Sequence, residues 1–351
     1  MIRFSILIAV LLTVGLSADD MEVYKESSDR YFQEQVERLN GGSLREKMIA
    51  VENLRRIKSK RALRPLIFAL KGTSTYGEAK KGVVQPENPE IDQPLVNVDL
   101  PQNNEPALKF LASQAIADIG SERGMSALVE VYNVLEKKIP ENEKVNLPKI
   151  EEMNNVNAAG EILRSIGKLI ERLENTQEIE GVKYRPSAEA VKSGIETLKS
   201  ALTHKHYYIR STAADGFRNT NRSEILEILI SSLANEKDDY VKAAILSAIV
   251  NLKPSDSEKL FDLAELIKSD RPDVRIRVSI GLGSSDIVNA ALYLRHAMQF
   301  EDNFNVRNQM KKDLQTLNSF KTVDVSTTGA YKDLNNGNNS PSSVQAKPFK
   351  K

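Results

Sequence analysis

The segments 209–217 (IRSTAADGF), 241–249 (VKAAILSAI), 274–282 (VRIRVSIGL) and 306–314 (VRNQMKKDL) decide the fold. Each begins with a β-branched residue followed by a basic residue, and each has an apolar residue eight positions after its start. The starts are 32, 33 and 32 residues apart. A pattern that recurs at such a period indicates an array of helical repeats rather than one compact domain.

Each of the first three segments is followed by a turn and then by a second stretch of helical apolar periodicity. The second stretches cover residues 225–233, 260–267 and 290–298. The breaks before them hold turn-forming and capping residues at 219–221, 254–256 and 284–286. The sequence therefore predicts helical hairpins, since turn residues separate two helical periods within each unit.

Two of the helix starts resemble the Asp-x-Val-Arg start of HEAT repeats. They are the stretches 272–275 (PDVR) and 238–242 (DDYVK). A looser form of the pattern occurs in residues 105–135 and 46–70. The resemblance to HEAT-repeat proteins of exported bacterial type implies an all-α, right-handed α-solenoid of stacked helical hairpins over residues 43–320. We expect about six units and a terminal helix over 306–320.

In the HEAT family, acidic and basic residues at these helix starts typically bond along the stack. The resemblance therefore implies a ladder of contacts between adjacent repeats. Tyr207 and Tyr208 stand before Ile209, where an Asp would be expected, so the unit of Arg210 departs from the family pattern. The predicted ladder residues are Lys109, Arg210, Asp239, Lys242, Asp273, Arg275 and Arg307.

Three regions depart from the repeat. Residues 19–42 contain an amphipathic helix that Gly41 and Gly42 end. Residues 71–105 contain four prolines, which exclude a helix and indicate a loop inserted between the first two units. Residues 321–351 are rich in Asn, Ser, Thr, Gly and Lys, so a disordered tail is expected.

The N-terminal residues 1–18 have the layout of a signal peptide. Arg3 gives a positive start, residues 4–16 form an uncharged apolar run, and small residues follow. Cleavage is predicted after Ser17 or after Ala18. A run of this length is short for a spanning helix, which needs about 20 apolar residues. The expected mature chain is soluble, periplasmic or secreted, and without stable membrane insertion.

Composition and charge exclude several classes of function. The formal net charge is +1, whereas a nucleic-acid-binding protein would normally carry a basic excess to displace counterions, so no nucleic-acid partner is predicted. The chain has no Cys, which excludes disulfides, thiolate metal sites and a Cys nucleophile. No cofactor is predicted.

No motif in the sequence has the context that catalysis or metal binding requires. His204, His206 and His296 lack an accompanying cluster of acidic residues, so no metal site is predicted. Ser165 and Lys168 match a Ser-x-x-Lys acylation motif, but the partner motifs of that family are absent. Gly281 and Gly283 are interpreted as helix-packing glycines. The expectation is a chain that is not an enzyme.

The sequence accordingly predicts a non-enzymatic protein-binding or scaffolding protein of the cell envelope, with an oligomeric state left open. One alternative is a structural subunit of a large periplasmic, envelope or motility assembly. Another is a lyase-like or chaperone protein with a small-molecule ligand, since similar repeats occur in relatives of phycobilisome bilin lyases. The candidate partner-binding residues are Arg55, Arg56, Lys58, Lys60, Arg61, Arg64, Tyr207 and Tyr208.

Overall fold

The computed structural model describes residues 18–72, 106–139, 150–174, 177–179, 182–184, 188–218, 220, 222–285 and 287–321. The predicted signal peptide up to residue 17, nearly all of the predicted loop 71–105, and the predicted tail beyond residue 321 lie outside the described residues.

Fourteen α-helices account for most of the part of the chain that the structure describes. They are α1 (Ala18–Gly41), α2 (Leu44–Ile57), α3 (Leu63–Lys71), α4 (Pro106–Ile119), α5 (Glu122–Glu136), α6 (Ile150–Glu174), α7 (Ala188–Ala201), α8 (Tyr207–Phe217), α9 (Ser223–Asn235), α10 (Asp239–Leu252), α11 (Ser257–Glu265), α12 (Pro272–Gly283), α13 (Val288–Phe300) and α14 (Phe304–Lys321). Short 3-10 turns at Lys60–Ala62 and Leu266–Lys268 lie before α3 and after α11.

The helices form a two-layered repeat array. The first helices of the six hairpins are α2, α4, α6, α8, α10 and α12, and each packs against the next, with α14 packing on α12. The second helices are α3, α5, α7, α9, α11 and α13, and they form the other layer. The predicted all-α solenoid of stacked helical hairpins is confirmed.

Small residues let the first helices approach closely. A Cβ added to Gly216 of α8 would lie 2.8 Å from the carbonyl oxygen of Leu163 on α6. A Cβ added to Gly281 of α12 would lie 2.9 Å from the Cβ of Ser247 on α10. Because protein cores are close-packed, glycine at these positions sets the spacing of the layer. Gly281 is therefore a packing residue, as the sequence indicated.

Helices α8, α10 and α14 begin at equivalent capping residues, whereas α12 begins at Pro272 without a side-chain cap. His206 accepts a hydrogen bond from the Tyr208 amide at 3.2 Å, and Asp238 accepts one from the Tyr240 amide at 2.8 Å. Asn303 caps α14 in the same way. These side chains satisfy amides that have no partner inside the helix, so the sequence marks where these three helices start.

A short hairpin lies between α6 and α7. Strands β1 (Gln177–Ile179) and β2 (Val182–Tyr184) pair antiparallel, with Glu178 opposite Lys183. The sequence indicated only a connection longer than usual at this place. Three-residue strands give too short an alternating pattern to be distinguished from a loop.

Candidate protein-binding surface

Arg210 and Arg275 occupy the same place in two repeats and make the same contacts. Arg210 binds the Glu236 carboxylate at 2.8 and 3.1 Å, and also donates to the His204 carbonyl at 2.9 Å. Arg275 binds Glu301 at 2.7 and 2.9 Å and donates to the Ser269 carbonyl at 2.7 Å. Each arginine thus connects the turn that precedes its own helix to the turn that precedes the first helix of the next unit.

The other predicted ladder residues make more local contacts. Arg307 donates to the Glu301 carbonyl, and Lys242 pairs with Asp239 at 2.9 Å within the first turn of α10. Asp273 accepts from Arg271. A third acid–base contact between adjacent repeats, besides those of Arg210 and Arg275, runs from Arg271 to Asp238 at 2.9 Å.

Lys109 is buried in the N-terminal half, where it was expected to belong to the ladder. Its amine donates to the carbonyl oxygen of Leu70 at 2.9 Å, close to the end of α3. Burial lowers the pKa of Lys109 to about 8, and the charge of Lys138 acts in the same direction. Lys109 therefore supports a helix end across the repeat boundary.

The basic run extends from the last turn of α2 to the first turn of α3, and its paired members contact different neighbours. Arg55 contacts Asp118 at 2.5 Å and Gln114 at 3.0 Å on α4. Arg61 contacts Asp29 at 2.7 Å on the opposite side and lies over the Phe32 ring. The remaining members are exposed at the surface: Arg56, Lys58, Lys60 and Arg64. Arg55 and Arg61 are thus held by different neighbours, and partner binding by the four exposed members stays a prediction.

The lysine of the Ser-x-x-Lys motif, Lys168, forms an ion pair with Asp118. The Asp118 carboxylate accepts from Lys168 at 2.5 Å and from Arg55, and Arg172 lies 3.4 Å away. Burial raises the pKa of Asp118, but the hydrogen bonds from Lys168 and Arg55 outweigh burial and hold that pKa below its ordinary value. Lys168 is committed to this carboxylate, and Ser165 is buried.

Tyr207 and Tyr208, predicted as partner-binding residues, lie in a cluster that the sequence did not reveal. Tyr207 stacks on His206 and meets the Tyr240 ring edge-on at 5.7 Å. The guanidinium of Arg164 lies 5.7 Å from the Tyr208 ring centre. We name this cluster, formed by Arg164, Tyr207, Tyr208, Asp215, Arg218, Tyr240 and Arg277, the tyrosine–arginine patch. It spans α6, α8, α10 and α12 and includes Arg218, which follows α8.

Asp215 is the centre of the patch. Its carboxylate accepts from Arg164 at 3.2 Å and from Arg277, so it connects α6 with α12. Burial raises the pKa of Asp215, but the charges of Arg277 and Arg164 outweigh it and hold that pKa below its usual range. Three guanidinium groups surround this carboxylate when Arg218 is included. The patch combines aromatic rings with a local excess of positive charge.

Two further surfaces expose apolar side chains. Leu44, Met48, Ile49 and Leu111 line an open groove of about 770 Å³ at the N-terminal end of the array. Phe300 and Phe304, each 72% exposed, flank the turn between α13 and α14. These surfaces provide comparison sites for binding experiments.

The histidines have structural contacts. His204 accepts from the His206 amide at 2.9 Å, His206 caps α8, and His296 packs against Phe300. No group of three His, Cys, Asp or Glu residues with metal-binding geometry occurs within the described residues. Within the same residues, no helix is long and apolar enough to cross a membrane.

The fold and the patch define a helical-repeat protein with a candidate binding surface. No family model and no curated protein matches the sequence. Among solved structures, it is similar to the complex of CpcE and CpcF of phycocyanin lyase from Nostoc sp. PCC7120. The identity is 12%, the coverage is 81% of this chain and 93% of that chain, and the TM-score is 0.41.

Two engineered proteins are also similar. One has 14% identity over 82% of this chain and 96% of that chain, with a TM-score of 0.28. The other has 14% identity over 81% of this chain and 77% of that chain, with a TM-score of 0.25.

The expectation that the chain is not an enzyme is corrected by this comparison. A phycocyanin lyase complex stands among the similar structures, so a fold of this kind does not exclude an enzyme. The lack of a catalytic motif in the sequence was too weak a ground for that prediction.

Proposed function

We propose that the chain is a protein-binding helical-repeat protein that holds its partner at the tyrosine–arginine patch. The observation that carries the proposal is the partial exposure of Tyr207, Tyr208, Arg164 and Arg218 in one cluster, at whose centre the Asp215 side chain is only 12% exposed. Tyrosine and arginine are enriched among residues that dominate binding energy. Stacked repeats hold such side chains on a rigid, extended surface.

The packing of the patch supports a preformed site. Asp215 joins α6 to α12 through Arg164 and Arg277, so the side chains are fixed before a partner arrives. Preorganised groups lose less conformational freedom on binding, which favours affinity.

The cellular setting follows from the N-terminal sequence pattern. We propose export to the periplasm or the cell exterior, where the chain would act as a binding or scaffolding protein of the cell envelope. A structural role in a larger envelope or motility assembly is the alternative. Co-migration with a megadalton complex would favour that alternative over a free binding protein.

A lyase-like or chaperone function with a small-molecule ligand is the second candidate. The observation that favours it is the guanidinium cluster of Arg164, Arg218 and Arg277, because guanidinium groups bind carboxylates of small molecules as readily as those of proteins. Native mass spectrometry of protein purified from its own cells tests this candidate. A stoichiometric bound mass would support it, and the bare chain mass would oppose it.

The experiment for protein binding is a crosslinked pull-down from cell-envelope extract. The wild-type chain is compared with a Tyr207→Ser/Tyr240→Ser double variant and with Ile230→Ser as a control. Ile230 lies on α9 in the second-helix layer and is 46% exposed. We expect a partner that is retained by the control and lost from the double variant. Recovery of no partner, or equal recovery with all three chains, would contradict the proposal.

A further inference from the structure

The charges of the tyrosine–arginine patch do not balance. One oxygen of Asp215 accepts from Arg164, and the other accepts from Arg277. Arg164 also lies 3.4 Å from Glu161. Each oxygen of Asp215 therefore already accepts from one guanidinium group, and three guanidinium groups face two carboxylates.

Arg218 has no carboxylate in ion-pair contact among the described residues. The hydrogen bond that the structure shows for its side chain goes to the hydroxyl of Ser284, at 3.2 Å. A guanidinium group has five N–H donors in a planar fork, and the fork matches the two oxygens of a carboxylate. Arg218 is partly buried and partly exposed, so some of its N–H groups lie at the protein surface without a carboxylate beside them.

Arg277 gives a second, independent sign of unused donors. Its side chain is 8% exposed, and its Nε atom is buried without a hydrogen-bond partner. Buried polar atoms in folded proteins are nearly always paired, so this unpaired donor shows that the guanidinium groups of the patch outnumber the acceptors around them in the described residues. The end of α8 near Arg218 offers only partial compensation through its carbonyl groups.

We propose that Arg218 and Ser284 form a binding site for a carboxylate side chain of the protein partner. The site rests on the protein-binding function proposed above and adds the chemistry that the partner must carry. An aspartate or glutamate of the partner accepts from the guanidinium of Arg218. Ser284 positions that guanidinium by accepting from it, while its own hydroxyl donates to the Gly281 carbonyl oxygen at 3.1 Å. Residues beside that carboxylate then pack against the rings of Tyr207, Tyr208 and Tyr240.

The test uses the full chain and two fluorescein-labelled peptides in an anisotropy titration. One peptide alternates glutamate with alanine, and the other has glutamine at every glutamate position. We expect the glutamate peptide to bind more tightly than the glutamine peptide. Arg218→Gln should weaken binding of the glutamate peptide about tenfold, the loss expected for one charge-assisted hydrogen bond.

Arg222→Gln is the matched control. Arg222 lies four residues further along the chain, and its charge is already paired with Glu174 and Glu224. We expect this variant to bind the glutamate peptide within about twofold of the wild type. Ser284→Ala provides a second test with a smaller change, should Arg218→Gln fail to fold by circular dichroism, and it should weaken the same peptide.

Several outcomes would overturn the inference. These are equal binding of the two peptides, equal losses in the Arg218 and Arg222 variants, or no binding of the glutamate peptide to the wild type. The protein-binding function is judged separately by the pull-down. If a partner is captured through Tyr207 and Tyr240 while Arg218→Gln captures it equally well, the function stands and the carboxylate site is wrong.

Discussion

Arg275 of α12 binds Glu301 through two nitrogens, at 2.7 and 2.9 Å, and Glu301 is 26 residues further along the chain. Arg210 and Glu236 stand in the same relation, also 26 residues apart. The bidentate contact thus connects the starts of α8 and α12 to the units that follow them. The unit of α10 between them lacks it, because Lys242 pairs with Asp239 in its own first turn.

Breaking this contact should destabilise the array. In Arg275→Met, the Glu301 carboxylate, whose side chain is 6% exposed, would lose its main partner. We expect the free energy of unfolding to fall by about 2–4 kcal/mol, because a buried charge left unpaired is costly. Lys242→Met removes a partly exposed pair within one helical turn and should cost less than about 0.5 kcal/mol in the same urea titration. Equal losses in both variants would be inconsistent with the ladder.

Close packing of the first helices predicts an asymmetry between two glycines. Gly216→Ala would place a Cβ 2.8 Å from the Leu163 carbonyl oxygen, so α6 and α8 must separate. We expect a loss of about 1–3 kcal/mol in the free energy of unfolding. Gly41→Ala should cost nothing measurable, since its Cβ would meet nothing within 4 Å. Thermal unfolding of both variants checks this, and a neutral Gly216→Ala would contradict the packing.

The buried amine of Lys109 predicts a pH dependence of stability. Its pKa is lowered by burial to about 8 in the folded chain, from 10.5 in the unfolded chain. Above pH 8 the unfolded chain therefore binds more protons, so the free energy of unfolding rises with pH. We expect Lys109 to raise the free energy of unfolding by about 1–2 kcal/mol between pH 8 and pH 9.5.

Lys109→Met removes the titrating group and should abolish this contribution in denaturant titrations at the two pH values. The pH range stops at 9.5, below the ordinary pKa at which Tyr132 of the unfolded chain loses its proton. Burial raises the pKa of Tyr132 in the folded chain, so at higher pH this residue lowers the free energy of unfolding. An unchanged rise in the variant would show that another group is responsible.

Asp215 should be the most sensitive carboxylate of the patch. Asp215→Asn leaves the guanidinium groups of Arg164 and Arg277 without their shared anion, so we expect a loss of about 3 kcal/mol or more. Asp239→Asn, which affects the partly exposed pair with Lys242, is the control. A double-mutant cycle of Asp215→Asn with Arg277→Met should give a coupling above about 1 kcal/mol. Additive losses would mean that the pair does not hold α8 and α12 together.

The repeat pattern could be recognised from the sequence because each hairpin is specified locally. The basic residues Arg210 and Arg275 follow buried anchors at a fixed spacing, so their place in the ladder was predictable. Their partners Glu236 and Glu301 were missed, because the family resemblance directs attention to acidic residues at the helix start itself. The acceptors lie one whole hairpin later in the chain.

The tyrosine–arginine patch could be predicted only in part. Tyr207 and Tyr208 stood out as adjacent aromatics at a helix start. Arg164 and Arg277 lie 51 and 62 residues from Asp215, on α6 and α12, and no local pattern joins these three residues. The clue in the sequence was the presence of charged residues within helices whose other positions are small or apolar. Their convergence depends on the stacking geometry, which the sequence pattern alone does not supply.

Site-specific photocrosslinking in the cells that make the protein tests the central claim most directly. A benzophenone amino acid replaces Tyr207 in the patch, Ile230 on α9, or Ile49 in the N-terminal groove, in three separate chains. Protein binding through the tyrosine–arginine patch predicts a crosslinked partner from position 207 and little or none from positions 230 and 49. Adducts from position 230 or 49 alone, or from none of the three positions, would contradict it.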